Sequence, residues 1–320
     1  MPGFVYFIVI SSISCLLINS YPSSAFIGGI AWGVSLVLGG NFLTRKKLGI
    51  LFGLNILLLY GLAGSSSLFI LLVFGIPSFI IGLLLSLNKG YYELQKWGMI
   101  SALALVTLFM SLAYYNTGDG LKTNLQYEID NYVQESVNLS EDTGFLEFYE
   151  EQGISQEDMK ENIAIVAHWM VIHLPAFYYI YTILAIYIIL SLSSYISRKK
   201  NLPILVKRPF REEIMPWQFT WVIIIALSLW LWGRDEMMNI YYVGSNLLVI
   251  ASLITMYYGL SCIVYRLEKM NPKRKRWALI LFVFIIFIFT LPAIIFIGLL
   301  GLFDSLLDYR RLNHKKEETR

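Results

Sequence analysis

The sequence contains few charged residues, and its amino-terminal stretch contains none. Charged residues make up 15% of the 320 positions and hydrophobic residues 57%, and no Lys, Arg, Asp or Glu occurs between Met1 and Thr44. A soluble domain of ordinary composition carries about 25% charged residues. The shortage of charge excludes a water-soluble protein and indicates a chain that crosses a membrane several times.

Residues that bind metals or carry out common enzymatic chemistry are also scarce. The chain has two cysteines and three histidines, and both Cys15 and Cys262 lie inside apolar runs. This arrangement excludes a disulfide framework and lacks the Cys and His spacings of zinc sites. The sequence also has no Walker-type glycine loop, no HExxH motif and no Ser/His/Asp set. We therefore expect no metal, no cofactor and no enzymatic activity.

The charges that are present are segregated along the chain. Residues 116–161 hold 12 of the 22 acidic residues and only two lysines, a net charge of −10. Most of the other Lys and Arg residues occur in short runs between apolar segments. A basic excess in short loops reports orientation in a membrane rather than binding of nucleic acid. The expected partners are the lipid bilayer and other membrane or cytoplasmic proteins, with no nucleic acid.

Eight apolar segments are clearly bounded, and most approach the roughly 20 residues that a helix needs to cross the hydrocarbon core. They are continuously apolar, whereas the strands of a membrane barrel alternate. The sequence therefore predicts an all-α, polytopic helical membrane bundle of about nine transmembrane helices, with a small acidic helical ectodomain. Eight of these helices are clear and the ninth is a proline-broken carboxyl-terminal segment. The eight clear segments cover 3–20, 24–43, 48–64, 67–87, 98–115, 162–197, 217–233 and 240–265.

Three regions follow from this pattern. We expect an amino-terminal five-span bundle at 1–115, an acidic insertion at 116–161, and a carboxyl-terminal membrane bundle at 162–320 with basic loops at 198–216 and 266–276. If every segment spans once, the basic loops share one side, which the positive-inside tendency makes cytoplasmic. The prediction is a multi-pass protein of the cell membrane with a cytoplasmic amino terminus and an extracytoplasmic insertion.

One helix of the insertion is predicted to lead into the sixth span. It starts at Ser155, because Glu157 and Asp158 favour the positive end of the helix dipole. It continues as far as Pro175.

The last apolar segment allows two interpretations. Residues 277–303 are uncharged, and as one helix they would be about 40 Å long. A single tilted span broken near Pro292 leaves the carboxyl terminus outside, and we favour this interpretation. The basic residues Arg310 and Arg311 would instead stay in the cytoplasm if the chain made a hairpin at 290–292.

Polar residues near the outer ends of the spans are the candidate ligand contacts, because polar groups in lipid often mark functional sites. His168 and His173 lie in the sixth span, and Tyr242, Ser245 and Asn246 lie in the eighth. Glycine beside Ser245 and Asn246 could loosen that helix and turn polar groups into a cavity. Hydrogen bonds at the membrane interface or between helices explain the same residues.

The cytoplasmic stretch before the seventh span combines bases, aromatic residues and prolines. Lys207, Arg208, Phe210 and Arg211 could contact anionic lipid headgroups or a cytoplasmic partner. The alternative is a plain orientation signal.

Two further patterns have structural interpretations. Asp304 and Asp308 are four residues apart and precede two arginines, which predicts local ion pairing at a membrane exit. Glycine pairs at GxxxG spacing, Gly29 with Gly33 and Gly49 with Gly53, predict close packing of helices within the chain or between two copies.

Four short motifs follow one another along the chain. They are Phe74-Gly75-Ile76-Pro77 with Gly82, Arg208-Pro209-Phe210-Arg211 with Met215-Pro216, Gly244-Ser245-Asn246 with Tyr258-Gly259-Leu260-Ser261, and Gly301-Leu302-Phe303-Asp304 with Asp308-Tyr309-Arg310-Arg311. In this order they resemble the YybS-like family of bacterial polytopic membrane proteins, which has no established activity. The front half is more loosely similar to the substrate-binding subunits of energy-coupling-factor transporters, which bind a small molecule near the outer face. The resemblance implies transport-related small-molecule binding without catalysis; the alternative is a membrane scaffold or a subunit of a membrane complex with no small ligand.

Overall fold

The described part of the chain is helical and falls into two compact units. The computed structural model describes residues 2–20, 24–64, 67–117, 127, 131, 134–135, 155–200 and 205–310, and these contain no strand. The first unit is Met1–Lys207 and the second is Arg208–Arg320. The sixth span therefore belongs with the first five, whereas the sequence analysis grouped it with the carboxyl-terminal bundle. The predicted ectodomain lies almost entirely outside the described residues.

The helices of the first unit follow the predicted apolar segments closely. A π-helical turn, Leu71–Gly75, joins the two halves of the fourth span. The helices are α1 (Pro2–Ser20), α2 (Ala25–Phe42), α3 (Arg45–Ala63), α4 (Ser67–Ile70), α5 (Ile76–Leu85), α6 (Tyr91–Thr117), α7 (Gln156–Ile172) and α8 (Leu174–Lys199).

The second unit begins with a loop and continues with four helices. The loop contains a short 3₁₀ turn, Phe210–Glu212. The helices are α9 (Phe219–Glu236), α10 (Met238–Glu268), α11 (Pro272–Ile288) and α12 (Thr290–Leu307).

The length and composition of these helices confirm a polytopic helical membrane bundle. Eight helices of the described chain are long and apolar enough to span a membrane, and the apolar stretch of α9, Phe219–Arg234, is shorter. These eight include α12, which the sequence analysis treated as the second half of one longer segment.

Large side chains and glycines together build the core of the first unit. Trp32 and Phe74 are fully buried. Trp32 on α2 stacks on Phe52 of α3 with their ring centroids 6.3 Å apart. Helices α2 and α5 cross where a Cβ atom on Gly40 would overlap the carbonyl of Gly82. Small residues therefore permit the close approach of backbones that packing in lipid requires.

Three basic segments of the first unit lie at one end of the bundle. Arg45, at the start of α3, donates from Nε to Ser86 Oγ after α5 (3.3 Å). At the end of α8, Lys200 places its ammonium group 5.6 Å from the ring centroid of Phe42. The loops after α2 and α5 and the end of α8 are therefore neighbours, which agrees with the predicted sidedness of these loops.

Helix α7 starts where the sequence predicts, and it stops just short of the predicted proline. Ser155 and Asp158 form a capping box, with Asp158 N–H donating to Ser155 Oγ (3.1 Å) and Ser155 N–H donating to Asp158 Oδ2 (3.1 Å). The helical path breaks at His173, and Pro175 lies in the first turn of α8, where its missing N–H costs no hydrogen bond.

Glycines also set the packing of the second unit. A Cβ atom on Gly244 of α10 would overlap the backbone of Trp230 on α9. Farther along α10, a Cβ atom on Gly259 would overlap the carbonyl oxygen of Ile297 on α12, and one on Gly301 would overlap that of Thr255. Helix α10 therefore has a small-residue side along which both α9 and α12 pack.

The preference for a single final span is wrong. The helical path breaks at Phe289 (φ −116°, ψ 53°), between α11 and α12. Ala278, near the start of α11, lines the same cavity as Leu300, near the end of α12, so the two helices run in opposite directions. At the break Thr290 Oγ1 donates to the carbonyl oxygen of Ile286 (3.0 Å), which satisfies an acceptor that lipid could not.

Because of the hairpin, the end of the described chain lies at the same end of the second unit as the end of α10. Tyr265, near the end of α10, donates from its hydroxyl to the carbonyl oxygen of Arg310 (3.3 Å). The end of α12 therefore lies beside the end of α10 and beside the basic residues at 266–276. The charge conflict that the single-span interpretation created is resolved, because all these bases occupy one end of the unit.

Candidate functional site

A buried ion pair lies at this end of the second unit. The side chains of Asp304 and Arg310 are each 2% exposed, and two guanidinium nitrogens of Arg310 donate to the same carboxylate oxygen, Nε at 3.0 Å and Nη2 at 2.7 Å from Oδ2. Asp308 brings the pair together, because it turns the chain back after α12 in the left-handed conformation (φ 44°). The predicted local ion pairing is confirmed for Asp304 and Arg310.

The other guanidinium N–H groups of Arg310 donate to the loop at the start of the second unit and to α10. Nη1 of Arg310 donates to the carbonyl oxygen of Arg211 (2.7 Å) and to Ser261 Oγ (2.8 Å). Nη2 donates to the carbonyl oxygen of Glu213 (2.6 Å) as well as to the carboxylate. All five N–H groups of this buried cation are thus engaged, as a charge removed from water requires.

The side chains of the loop are held by α10. Phe210 meets Tyr257 edge to face with ring centroids 5.1 Å apart, and its carbonyl accepts from Ser261 Oγ (2.6 Å). Arg211 forms an ion pair with Glu268. That carboxylate raises the pKa of the Arg211 guanidinium further above its usual value. Phe210 and Arg211, two of the four residues predicted to contact a partner or lipid, therefore make their contacts within the second unit.

The other two predicted contact residues are placed differently. Lys207, in the first unit, donates from Nζ to the hydroxyl of Tyr187 (2.8 Å) and lies over its ring. Arg208 is exposed. A role in binding a partner or lipid stays a prediction for this stretch.

The second carboxylate oxygen of Asp304, Oδ1, takes no part in the ion pair with Arg310. It is buried and accepts no hydrogen bond from a nitrogen or oxygen among the described residues; the thiol of Cys262, a weak donor, lies beside the carboxylate. A buried polar atom without a partner costs about 1–3 kcal/mol, so an unpaired carboxylate oxygen here is a strong acceptor for an incoming group. The cavity that Asp304 lines has a volume of about 250 Å³, and its other walls include Cys262, Arg266, Met270, Ala278, Leu300 and Tyr309.

An apolar space adjoins this cavity. The two share Ile263 of α10 and Phe282 of α11 as lining residues. The second space has a volume of about 400 Å³ and extends towards Phe289, Pro292 and Phe296 at the turn of the hairpin. The three helices α10, α11 and α12 therefore enclose a groove with a charged end and an apolar end.

The histidines predicted to bind a ligand have different surroundings in the first unit. His173 is buried. Its Nδ1 lies 2.8 Å from the carbonyl oxygen of Trp169, and the two rings are 4.4 Å apart. His168 is exposed. The structure thus joins His173 to the break between α7 and α8, and it does not pair the two histidines.

The residues predicted on the eighth span make local contacts. Asn246 donates from Nδ2 to the carbonyl oxygen of Tyr242 one turn earlier (2.8 Å). Helix α10 runs unbroken through Gly244, Ser245 and Asn246, so the predicted loosening is wrong; the glycine serves the crossing with α9. Ligand binding by these residues stays a prediction.

Two features of the charged end escaped the sequence analysis. Arg266 was interpreted as an orientation signal, and nothing linked it to Asp304, because their proximity depends on the hairpin. The carboxylate itself was identified, together with its pairing, but its unpartnered oxygen has no sequence signature. Among the described residues, no three His, Cys, Asp or Glu side chains converge as metal ligands.

The family to which the chain belongs follows from a family model that covers most of its length. The model described as Predicted membrane protein (DUF2232) matches residues 9–305, and the chain is a member of that family. This confirms the resemblance to a membrane protein family without an assigned activity. No curated protein and no solved structure matches the chain, so the similarity to energy-coupling-factor subunits stays a prediction.

Proposed function

We propose that this member of the DUF2232 family is a non-catalytic membrane protein that binds a small molecule, in connection with transport, in the cavity beside Asp304. The observations that carry the proposal are a cavity of about 250 Å³ that Asp304 lines and, on the same carboxylate, a buried Oδ1 that accepts no hydrogen bond from a described nitrogen or oxygen. Ligand sites are typically apolar clefts with a few fixed polar groups, and this cavity has that character.

The chemistry of the walls defines what the ligand must offer. Oδ1 of Asp304 accepts a hydrogen bond, so the ligand needs an N–H or O–H donor. Arg266 lines the cavity without an ion-pair partner among the described residues. The guanidinium of Arg310, by contrast, is already saturated. A ligand that carries both a donor and an anionic or strongly polar acceptor would satisfy both groups.

The hairpin of α11 and α12 supports a connection with transport. The apolar part of α11 runs from Trp277 to Ile288, about 18 Å of helix, which is shorter than the roughly 30 Å hydrocarbon core. A hairpin that turns inside the bilayer is a broken helical element, and such elements form the substrate sites of many transporters. No residue of α11 is buried, so this helix packs loosely against α10 and α12.

The proposed orientation places the charged end of each unit in the cytoplasm, by the positive-inside tendency. Single cysteines introduced at Lys89 and Tyr309, in a chain whose two native cysteines are replaced, test it with an impermeant maleimide. Both positions should react only from the cytoplasmic side. Reaction of the cysteine at position 309 from the outside would restore the single-span topology and contradict the hairpin.

Thermal unfolding of the purified protein tests binding in the cavity. The protein is screened against amines, nucleosides, vitamins and phosphorylated metabolites. A ligand at 100 times its Kd should stabilise the folded state by about 2.7 kcal/mol. The substitution Ala278→Phe fills the cavity and should abolish the response. The matched control is Leu279→Phe, on an exposed neighbouring position of the same helix that does not line the cavity.

Two results decide the matter. A compound that stabilises the wild type and Leu279→Phe but not Ala278→Phe supports the proposal. A compound that stabilises all three alike binds elsewhere, and absence of any response together with a stably co-purifying protein would overturn it in favour of a scaffold.

The scaffold is the second candidate function, and the first unit favours it. The core of that unit is filled by fully buried side chains such as Trp32, Phe74 and Leu94. A cavity of about 80 Å³ near Tyr60 is too small for a metabolite. In this alternative the first unit would present its exposed helix faces to other membrane proteins, and crosslinking in intact cells would recover a defined partner.

A further inference from the structure

We propose that the molecule bound beside Asp304 is an anionic phospholipid whose headgroup carries hydroxyl groups, with phosphatidylglycerol as the simplest example. The inference rests on the proposed function and names its ligand class. The lipid phosphate would bind Arg266, a headgroup hydroxyl would donate to Asp304 Oδ1, and one acyl chain would occupy the apolar end of the groove.

The shape of the groove matches an amphiphile rather than a compact polar metabolite. The cavity of about 250 Å³ at the charged end adjoins the apolar space of about 400 Å³, and Ile263 and Phe282 line both. A small polar solute would leave the apolar space empty. An acyl chain would fill it and contact Phe289 and Phe296 at the turn of the hairpin.

The groove is also reached from the bilayer. Phe289 and Phe296 are 58% and 62% exposed, although they line the apolar space. Exposed apolar side chains on a membrane helix face the lipid chains. A phospholipid could therefore enter sideways with its acyl chain leading, without crossing the hydrocarbon core as a charged species.

The charge at the polar end selects an anionic headgroup. Four consecutive bases, Lys273 to Arg276, begin α11, and Arg266 and Lys269 end α10. Clusters of this kind immediately beside membrane helices attract anionic lipids through the combined charge of their bases. Arg266 of this cluster lines the cavity, and the other bases lie along the chain between the lining residues Leu267 and Ala278, so the local field favours a phosphate there.

The carboxylate narrows the choice further. Because Oδ1 of Asp304 is buried, an acceptor-only or methylated headgroup would leave it unpaired, at the cost already described. A hydroxyl donor removes that cost. Phosphatidylglycerol offers such donors and phosphatidylcholine offers none. Phosphatidylglycerol should therefore bind more tightly than phosphatidylcholine when both occupy the same position in the groove.

Native mass spectrometry of the full-length protein, released from nanodiscs that hold equal amounts of phosphatidylglycerol and phosphatidylcholine, tests the proposal. The wild type should retain one phosphatidylglycerol molecule more firmly than any phosphatidylcholine. Arg266→Gln should lower that retention about tenfold, the equivalent of 1.4 kcal/mol. The control Arg274→Gln removes an exposed base of the same cluster that does not line the cavity, and it should have little effect.

The cavity variants separate this inference from the proposed function. Ala278→Phe should remove the retained lipid, whereas Leu279→Phe should keep it. Equal retention in all variants means lipid bound only at the outer surface and overturns the inference. A retained molecule that is not a lipid, but is lost in Ala278→Phe, overturns the inference and leaves the proposed function standing. Absence of any retained or added ligand in the wild type overturns both.

Discussion

Loss of the buried cation at Arg310 should destabilise the second unit strongly. The substitution Arg310→Gln removes the partner of Asp304 and leaves the carboxylate charged and buried. Removing one member of a buried pair typically costs about 3–5 kcal/mol, because the remaining charge is uncompensated. The carbonyl oxygens of Arg211 and Glu213 each lose a donor as well, although that of Glu213 keeps the bond from Ser261 Oγ. At about 2–4 °C for each kcal/mol, the unfolding midpoint should fall by about 10 °C.

Thermal unfolding of the protein in detergent, followed by intrinsic tryptophan fluorescence, measures this change. Hydrogen exchange adds a local measurement, because the loop at 208–216 should lose protection when the hydrogen bonds from Arg310 to its carbonyl oxygens are removed. The matched control is Arg274→Gln, which removes an exposed arginine on α11 with no ion pair among the described residues and should leave the midpoint unchanged.

A double variant separates the ion pair from the loop contacts. Arg310→Met with Asp304→Leu removes both charges, and replacing a buried pair by apolar residues is often neutral. This variant should recover most of the lost stability while the loop remains unprotected. Two results would refute the assignment of a tightly held buried pair. One is an unfolding midpoint of Arg310→Gln equal to that of the control Arg274→Gln, and the other is a midpoint of the double variant below that of Arg310→Gln.

Two further predictions concern helix packing and helix capping. Gly259→Ala should lower the unfolding midpoint, because the new methyl group overlaps the carbonyl of Ile297; Gly49→Ala should not, because a Cβ atom there meets no described atom within 4 Å. Equal effects of the two glycine variants would contradict the assigned crossing. The capping hydrogen bonds of Ser155, first from its hydroxyl and then from its N–H, lower the pKa of Asp158 below its usual 3.8. The cap therefore contributes fully above that usual value and is lost as pH falls through the lowered one. Ser155→Ala removes the hydroxyl but keeps the backbone N–H, so it should raise the pKa of Asp158 part of the way towards 3.8 and speed amide exchange at the start of α7. An unshifted pKa of Asp158 in an NMR titration of the wild type would disprove the cap.

The spans could be predicted because hydrophobicity and charge are local properties of the sequence. A membrane demands long uncharged helices, and the limits of α1 to α3 follow within a few residues. The start of α7 was also predicted, since Glu157 and Asp158 follow Ser155 and favour the positive end of the helix dipole. These features need no knowledge of which helices meet.

The hairpin was not predictable by the same means. Residues 277–303 contain no charge, and near the break only Pro292 is typical of a turn; Gly298 and Gly301 lie farther along, within α12. The break lies at Phe289, where a backbone conformation and the hydroxyl of Thr290 close the helix end. Only the bases that follow, Arg310 and Arg311, indicated that the chain returns, and the length of the segment was weighed above them.

The error about the hairpin carried over to the candidate site. With a single span, Asp304 and Arg266 would lie at opposite faces of the membrane, and no reasoning would combine them. With the hairpin, α12 runs parallel to α10 and both residues line one cavity. The polar residues chosen from the sequence, such as His173 and Asn246, were selected by residue type alone. The structure gives each of these two a nearby backbone carbonyl as its hydrogen-bond partner.

The most direct measurement is a cryo-electron microscopy map of the protein in nanodiscs that contain anionic lipid. We predict continuous density that begins between the Arg266 guanidinium and Asp304 Oδ1 and passes Phe282 towards the turn of the hairpin. A map in which α11 closes against α10 and side chains fill that space would contradict a ligand site there.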